Sequence, residues 1–132
     1  MRALFVVAFL LTMPFCFRLF EGNMGTGSAI WDGTLILCEL FSQGVVALEG
    51  ATVLELGTGL GAGSTVASAV HAHKVVASDG DEELLELTER NMQANLGSNH
   101  SIVLKHLVWG NRSHIEEALA LGPYDYIFGG SL

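Results

Sequence analysis

Short apolar runs alternate with amphipathic segments along most of the chain. Apolar and β-branched runs predict strands, and segments with apolar residues at helical spacing predict helices. The predicted strands cover residues 51–56, 74–78, 102–107 and 124–128. The predicted helices cover residues 34–41, 64–72, 82–96 and 113–121. Because strands and helices alternate, the crossovers predict an α/β fold, a Rossmann-like parallel sheet with helices on both faces.

The first residues follow a different pattern. Residues 1–17 contain one early basic residue, Arg2, and then an almost unbroken apolar run. The run is short for a membrane-spanning helix, which needs about 20 residues. A secretory signal or membrane anchor fits its charged start, a buried strand fits the alternation over residues 15–19, and an artefactual start is the third interpretation. Residues 1–21 are therefore set apart from a predicted domain over residues 22–132.

The net charge of the chain and the spacing of its histidines and cysteines limit the kinds of molecule that it is expected to bind. The chain has 14 acidic against 6 basic residues and a net charge of −8. Binding to a nucleic-acid backbone needs a basic face, so we expect no nucleic-acid partner. The five histidines and the two cysteines, Cys16 and Cys38, show no metal-ligand spacing. We therefore predict no metal site and interpret the cysteines as buried thiols.

The glycine-rich stretch VLELGTGLGAG, residues 53–63, ends one predicted strand, and Asp79 ends the next. In open parallel sheets, ligands bind beyond the carboxyl ends of the strands, so both should face one crevice. No Gly-Lys-Ser/Thr follows the glycines, which excludes a P-loop nucleotide site. A glycine turn followed by an acid predicts a ligand that contains a ribose.

Two ligand classes fit this pattern. Gly57, Gly59 and Ala62 satisfy the GxGxxG/A motif of dinucleotide sites, in which an acid such as Asp79 binds the ribose. S-adenosylmethionine shares the adenosine but carries an amino acid end with an ammonium group in place of a pyrophosphate. Glu55 suits that ammonium, directly or through water, and gains nothing beside a pyrophosphate. The residues therefore favour S-adenosylmethionine, and a nicotinamide-dependent oxidoreductase is the alternative.

The segments VLELGTGLG, VVASDGDEELLELTERNMQANL and LVWGN resemble the class I (seven-β-strand) S-adenosylmethionine-dependent methyltransferases. The approach GTGSAIWDGTLILCELF is similar to that of their protein-lysine methyltransferase group, methyltransferase family 16. The similarity covers about residues 25–130. It implies methyl transfer to a lysine side chain of a protein, S-adenosyl-L-methionine as the cofactor, and a cytoplasmic location.

The resemblance also implies which residues contact the cofactor: Trp31, Glu55, Gly57, Gly59, Asp79, Gly80 and Trp109. Glu55 and the two glycines after it would line the methionine end, Asp79 would bind the ribose hydroxyls with Gly80 beside them, Trp109 would border the adenine, and Trp31 would close over the cofactor. Asp79 could instead cap a helix, and either tryptophan could belong to the core. Gly61 and Gly63 are interpreted as packing positions. No catalytic base is identified.

The resemblance weakens at the last residues. In the family, the fourth strand leads into Gly-Ala/Ser-Asp-x-x-Tyr, which helps to form the substrate site, and Ser131 stands at the position of that aspartate. The expected sheet order is third, second, first, fourth strand, which leaves residues 124–128 as an exposed apolar edge that favours self-association. We therefore expect a C-terminally incomplete domain, with an inactive Rossmann-like binding module as the alternative to an active enzyme.

Overall fold

The structure is a computed structural model, and it describes residues 3–10, 13–20 and 25–130. The strands are β1 (Ala3–Leu10), β2 (Met13–Phe20), β3 (Thr52–Leu56), β4 (Lys74–Asp79), β5 (Ile102–His106) and β6 (Tyr126–Phe128). The helices are α1 (Asp32–Ser42), α2 (Ala62–Ala69), α3 (Glu82–Leu96) and α4 (Arg112–Ala120). A 3₁₀ turn, Gly25–Ser28, precedes α1. Every predicted element is present with its ends shifted by up to three residues, and Ser131 lies outside the described residues.

Strands β3 to β6 form one parallel sheet in the order β5-β4-β3-β6. The expected order of strands and the Rossmann-like fold class are confirmed. The last strand is shorter than predicted, because Asp125 bonds to Thr52 through both its backbone and its side chain. The backbone N–H of Asp125 donates to the carbonyl of Thr52, and the N–H of Thr52 donates to the Asp125 carboxylate, each at 2.8 Å. The ladder with β3 therefore begins at Tyr126.

The hydrophobic core lies between the sheet and the helices on one of its faces. Val53 and Val75 are fully buried in register with each other and belong to one cluster with Val66 of α2 and Leu84 of α3. Right-handed crossovers place α2 and α3 on the same face, because both connections step in the same direction along the sheet. The connection through α4 steps back across the sheet, which places this helix on the other face.

The apolar start of the chain forms a hairpin. Strands β1 and β2 pair antiparallel, with Ala3 opposite Phe20. Leu19 is fully buried in the main core, and the hairpin contacts α1 and α3. Residues 15–19 lie within β2. None of the helices in the described part of the chain has the length and apolar character to cross a membrane.

Candidate functional site

A cavity of about 130 Å³ lies at the carboxyl ends of β3 and β4. The chain that precedes α1 and the glycine turn both contribute to its wall. The residues that line it are Thr26, Gly27, Ala29, Ile30, Trp31, Thr34, Gly57, Thr58, Gly59, Leu60, Ala62 and Asp79. Open parallel sheets bind their ligands at this position, so the cavity is the candidate functional site.

The turn between β3 and α2 depends on three glycines. Gly57, Gly59 and Gly61 have φ angles of 65°, 54° and 84°, a region that residues with a Cβ rarely adopt. A Cβ on Gly59 would also lie 3.0 Å from the carbonyl oxygen of Gly27. The glycines therefore let the chain reverse direction and let the 3₁₀ turn approach it, and Gly57 and Gly59 form one wall of the cavity with their backbone.

Asp79 joins the two loops that border the cavity. Its Oδ2 accepts a hydrogen bond from the backbone N–H of Gly59 at 3.0 Å, and its Oδ1 accepts one from Asp81 at 3.2 Å. The N-cap of α3 is Asp81, whose side chain accepts from the N–H groups of Glu83 and Leu84. Asp79 is therefore not the helix cap. Each of its oxygens retains a lone pair that can accept from a ligand hydroxyl.

Glu55 lies beneath the cavity and not in its wall, with only 1% of its surface exposed. Its Oε2 accepts hydrogen bonds from the Ser64 N–H at 2.9 Å, the Ser64 hydroxyl at 2.5 Å and the Thr58 hydroxyl at 2.7 Å. Because Ser64 lies in the first turn of α2, the carboxyl group caps that helix from the strand below. Thr58 lines the cavity and connects Glu55 to it.

The electrostatics of Glu55 follow from this burial. Loss of hydration raises the pKa of Glu55 to about 7; the hydrogen bonds from Ser64 and Thr58 oppose the rise, and the charge of Asp79 adds to it. Burial also raises the pKa of the neighbouring Cys38 thiol to about 12, and the charge of Glu55 contributes. Cys38 is thus a buried, protonated thiol, as the sequence predicts, whereas the side chain of Cys16 lies outside the described residues.

Gly61 and Gly63 have a packing role. A Cβ on Gly61 would lie 2.8 Å from Cγ2 of Thr88, and a Cβ on Gly63 would lie 2.3 Å from Oε1 of Glu55. Glu55 can therefore occupy the N-terminus of α2 only because position 63 has no side chain. This agrees with the interpretation of both glycines as packing positions.

Helix α3 holds the glycine turn with two polar side chains that the sequence did not identify. The hydroxyl of Thr88 donates to the carbonyl of Gly59 at 2.5 Å, and Nδ2 of Asn91 donates to that of Leu60 at 3.1 Å. Both side chains are fully buried. The sequence does contain a signal for these contacts, since a threonine and an asparagine stand among the apolar residues of the buried stripe of α3. Polar groups in such positions need partners, and here the turn supplies them.

The remaining predicted residues occupy three different places. Trp31 lines the cavity, and its indole N–H donates to the carbonyl of Thr26 at 3.0 Å. Gly80 is exposed directly after Asp79, and Trp109 is 61% exposed in the loop after β5; neither lines the cavity. The structure thus brings Trp31 together with the glycine turn and Asp79, whereas contacts of Gly80 and Trp109 with a ligand stay predictions. Within the ranges that the structure describes, no group of three or more potential metal-ligating residues occurs.

Comparisons with known proteins agree on one family. A family model described as lysine methyltransferase matches residues 18–131. Protein N-lysine methyltransferase METTL21A of Danio rerio is 29% identical over 112 residues, which cover 83% of this chain and 49% of that protein. The chain spans about half the length of this curated relative and of others that it matches.

Solved structures share the fold. The SAM-dependent methyltransferase of Agrobacterium tumefaciens superposes with a TM-score of 0.67 at 19% identity, over 87% of this chain and 36% of that protein. The protein SMU.776, crystallised in complex with SAH, superposes with a TM-score of 0.65 at 19% identity, over 86% of this chain and 29% of that protein. Both likenesses support the Rossmann-like architecture.

Proposed function

Because the chain belongs to the lysine methyltransferase family, we propose that it functions in methyl transfer from S-adenosylmethionine to a lysine side chain of a protein. The proposed cofactor site is the cavity at the carboxyl ends of β3 and β4. S-adenosylmethionine supplies an electrophilic methyl group on a sulfonium. The work of this chain is to bind and orient that molecule, since methyl transfer depends mainly on in-line positioning at short distance.

The observation that carries the choice of cofactor is the position of Glu55. In dinucleotide sites, the pyrophosphate lies at the N-terminus of the helix that follows the glycine turn, where free N–H groups and the helix dipole attract an anion. Here the carboxyl group of Glu55 already accepts from Ser64 in that first turn. A pyrophosphate would find this N–H group already bonded to Glu55, whereas a ligand with an ammonium and a sulfonium would favour the ionised form of the carboxyl group. The geometry therefore favours S-adenosylmethionine over a nicotinamide dinucleotide.

Different residues around the cavity contact different parts of the cofactor. Asp79 accepts hydrogen bonds from the ribose hydroxyls, and the turn at Gly57 and Gly59 lets the backbone approach the methionine end. The hydroxyl of Thr58 donates to Glu55 at 2.7 Å and accepts from the ammonium group, so it links the two. Trp31 covers the cofactor, and the adenine extends past Gly80 towards Trp109, outside the cavity.

The substrate is a protein with an accessible lysine. METTL21A of Danio rerio, which carries lysine methylation in its name, supports this class of substrate. The net charge of −8 suits a partner with a basic surface. A lysine must lose its proton before it attacks the methyl group, and a group that accepts this proton is not identified among the described residues.

Two further properties are proposals of the same kind. The resemblance implies a cytoplasmic location. Self-association through the edge of β6 is supported by its position at the end of the sheet, where Tyr126 and Ile127 are exposed. An open apolar edge strand is a template for pairing with another chain.

Calorimetry on the whole chain tests the proposal. We expect SAH, the demethylated product, to bind and NAD to give no heat of binding. Incubation with radiolabelled S-adenosylmethionine and a mixture of lysine-rich proteins then separates an active enzyme from a binding module, because only the enzyme transfers label. Binding of NAD without binding of SAH would contradict the proposed cofactor.

A further inference from the structure

His106, the last residue of β5, lies opposite Asp79 in the parallel ladder. Its Nε2 lies 3.1 Å from the carbonyl oxygen of Gly80. Because a carbonyl oxygen can only accept, the imidazole donates in this bond. Its Nδ1 lies 3.1 Å from Oε1 of Glu82, the first residue of α3. One side chain thus contacts both the end of β4 and the start of the following helix.

The carbonyl that His106 holds belongs to the peptide group that Asp79 also contacts. The carbonyl of Gly80 and the N–H of Asp81 are the two polar ends of one planar unit and turn together. That N–H donates to Oδ1 of Asp79 at 3.2 Å. The hydrogen bond from His106 to the Gly80 carbonyl therefore determines the direction of the Asp81 N–H group. Through that N–H group it also determines the plane of the Asp79 carboxylate.

The residue before this peptide bond is a glycine. Gly80 has no side chain, and a Cβ built on it would find its nearest neighbour, the carbonyl oxygen of Leu107, 3.7 Å away. Because glycine has no Cβ, it populates a wide range of φ and ψ angles, so its own backbone restricts the peptide group little. The side chain of His106 is the donor that restricts this rotation from the strand side.

The imidazole is itself positioned by its neighbours. The ring of His114 from α4 packs against it with 4.7 Å between centroids. His114 accepts a hydrogen bond from the N–H of Val108 at 3.1 Å, which ties its ring to the loop after β5. The N–H of Leu107 donates to the carbonyl of Asp79 at 2.8 Å, so the ends of both strands are aligned.

We propose that His106 is a positioning residue of the cofactor site: its N–H donor orients the Gly80–Asp81 peptide group so that Asp79 presents its carboxylate to the ribose of S-adenosylmethionine. The inference rests on the proposed function. It requires a side-chain N–H at position 106 and not an imidazole as such. A glutamine should therefore replace His106, and a phenylalanine, which retains the ring contact with His114, should not.

Calorimetric titration with SAH compares four proteins: the whole chain, His106→Phe, His106→Gln, and His73→Phe as the matched control. His73 is exposed at the opposite end of the sheet, before β4. We expect His106→Phe to weaken SAH binding about fivefold, as the loss of one hydrogen bond predicts. His106→Gln should bind within about twofold of the unmodified chain, and His73→Phe should bind unchanged. Unchanged binding by folded His106→Phe, or equal weakening by both His106 variants, would overturn the inference.

A second measurement needs no variant and covers the case in which His106→Phe fails to fold. The imidazole ¹⁵N resonances of the unmodified chain are followed during addition of SAH. Those of His106 should shift as the ligand fills the site, and those of His73 should stay in place. Unshifted His106 resonances at saturating SAH would overturn the inference alone, whereas absence of SAH binding by the unmodified chain would overturn the proposed function and the inference with it.

Discussion

The carboxylate of Asp79 accepts a hydrogen bond of 3.0 Å from the backbone N–H of Gly59, 20 residues earlier in the chain. This bond joins the loops that follow two neighbouring strands. It places the acid against the glycine turn before any ligand arrives, so little ordering remains to be done on binding. Thr88 and Asn91 hold the same turn from α3. The site is therefore largely preorganised by contacts within the chain.

Replacement of Asp79 should reduce cofactor binding. A hydrogen bond to a charged group contributes about 1.5–3 kcal/mol, so Asp79→Ala should weaken SAH binding at least about tenfold. Calorimetric titration measures the effect, and the thermal unfolding midpoint shows whether the variant folds. Glu86→Ala makes the same change in charge at an exposed position of α3 and should bind SAH normally. Normal binding by a folded Asp79→Ala variant would show that the acid does not contact the ribose.

Glu55 should make the stability of the chain depend on pH. Its pKa is raised from 4.5 to about 7 in the folded chain, chiefly by burial. The folded state therefore holds a proton that the unfolded state has released, so this contribution to stability is complete below pH 4.5 and is lost as the pH rises through about 7. The shift corresponds to about 3 kcal/mol.

Urea denaturation between pH 4.5 and 8 measures this contribution against Glu55→Gln, which cannot titrate. The free energy of unfolding of the unmodified chain, relative to that of the variant, should fall across this range. A constant difference between the two proteins would mean that Glu55 keeps the same protonation state on folding.

A side chain at position 63 should collide with Glu55. Gly63→Ala would place its Cβ 2.3 Å from Oε1 of the glutamate and 3.2 Å from Cε2 of Phe128. Alanine favours a helix over glycine by about 1 kcal/mol, but overpacking a buried site costs about 1–3 kcal/mol and should prevail. Chemical denaturation should show a loss of stability that is smaller in a Glu55→Ala background. Equal losses in both backgrounds would place the strain elsewhere.

His71 should be replaceable by glycine with a gain in stability. It follows α2 with a φ of 70°, the left-handed conformation that glycine commonly supplies after a helix. Relief of the Cβ contact is worth about 1–2 kcal/mol, and the greater freedom of glycine in the unfolded chain offsets about 0.4–1 kcal/mol of this gain. The backbone bonds of His71 to Ser68 and Gly50 would be unchanged in His71→Gly. His71→Ala retains a Cβ and is the control, so equal midpoints of thermal unfolding for the two variants would refute the explanation.

The edge of β6 should determine self-association. Ile127 is 59% exposed on the last strand of the sheet, and a lysine on an edge strand discourages pairing. Sedimentation at several concentrations should show association of the unmodified chain and less association of Ile127→Lys. Val45→Lys changes a residue of similar exposure, 68%, outside the sheet and should behave like the unmodified chain. An unchanged sedimentation profile for Ile127→Lys would exclude the edge as the contact.

The sequence by itself determined the helices and strands of the parallel sheet and the location of the candidate site. Short apolar and β-branched runs identified the four parallel strands, because runs of this length and composition are typical of buried strands. The glycine turn and Asp79 followed from local motifs, since parallel strands end at one edge of the sheet and bring both together there. The residues that resemble a family supplied the order of the strands, which local patterns do not contain.

The tertiary structure alone decided what each side chain contacts. The glycine motif predicts that Glu55 serves the ligand, and only the structure shows that its carboxyl group points towards α2, where the missing side chain of Gly63 leaves room for it. The contact of Thr88 with Gly59 joins residues 29 positions apart, and that of His106 with Gly80 joins residues 26 positions apart. Such contacts depend on how closely each helix packs on the sheet and where neighbouring strands end. A local pattern of apolar and polar residues specifies neither.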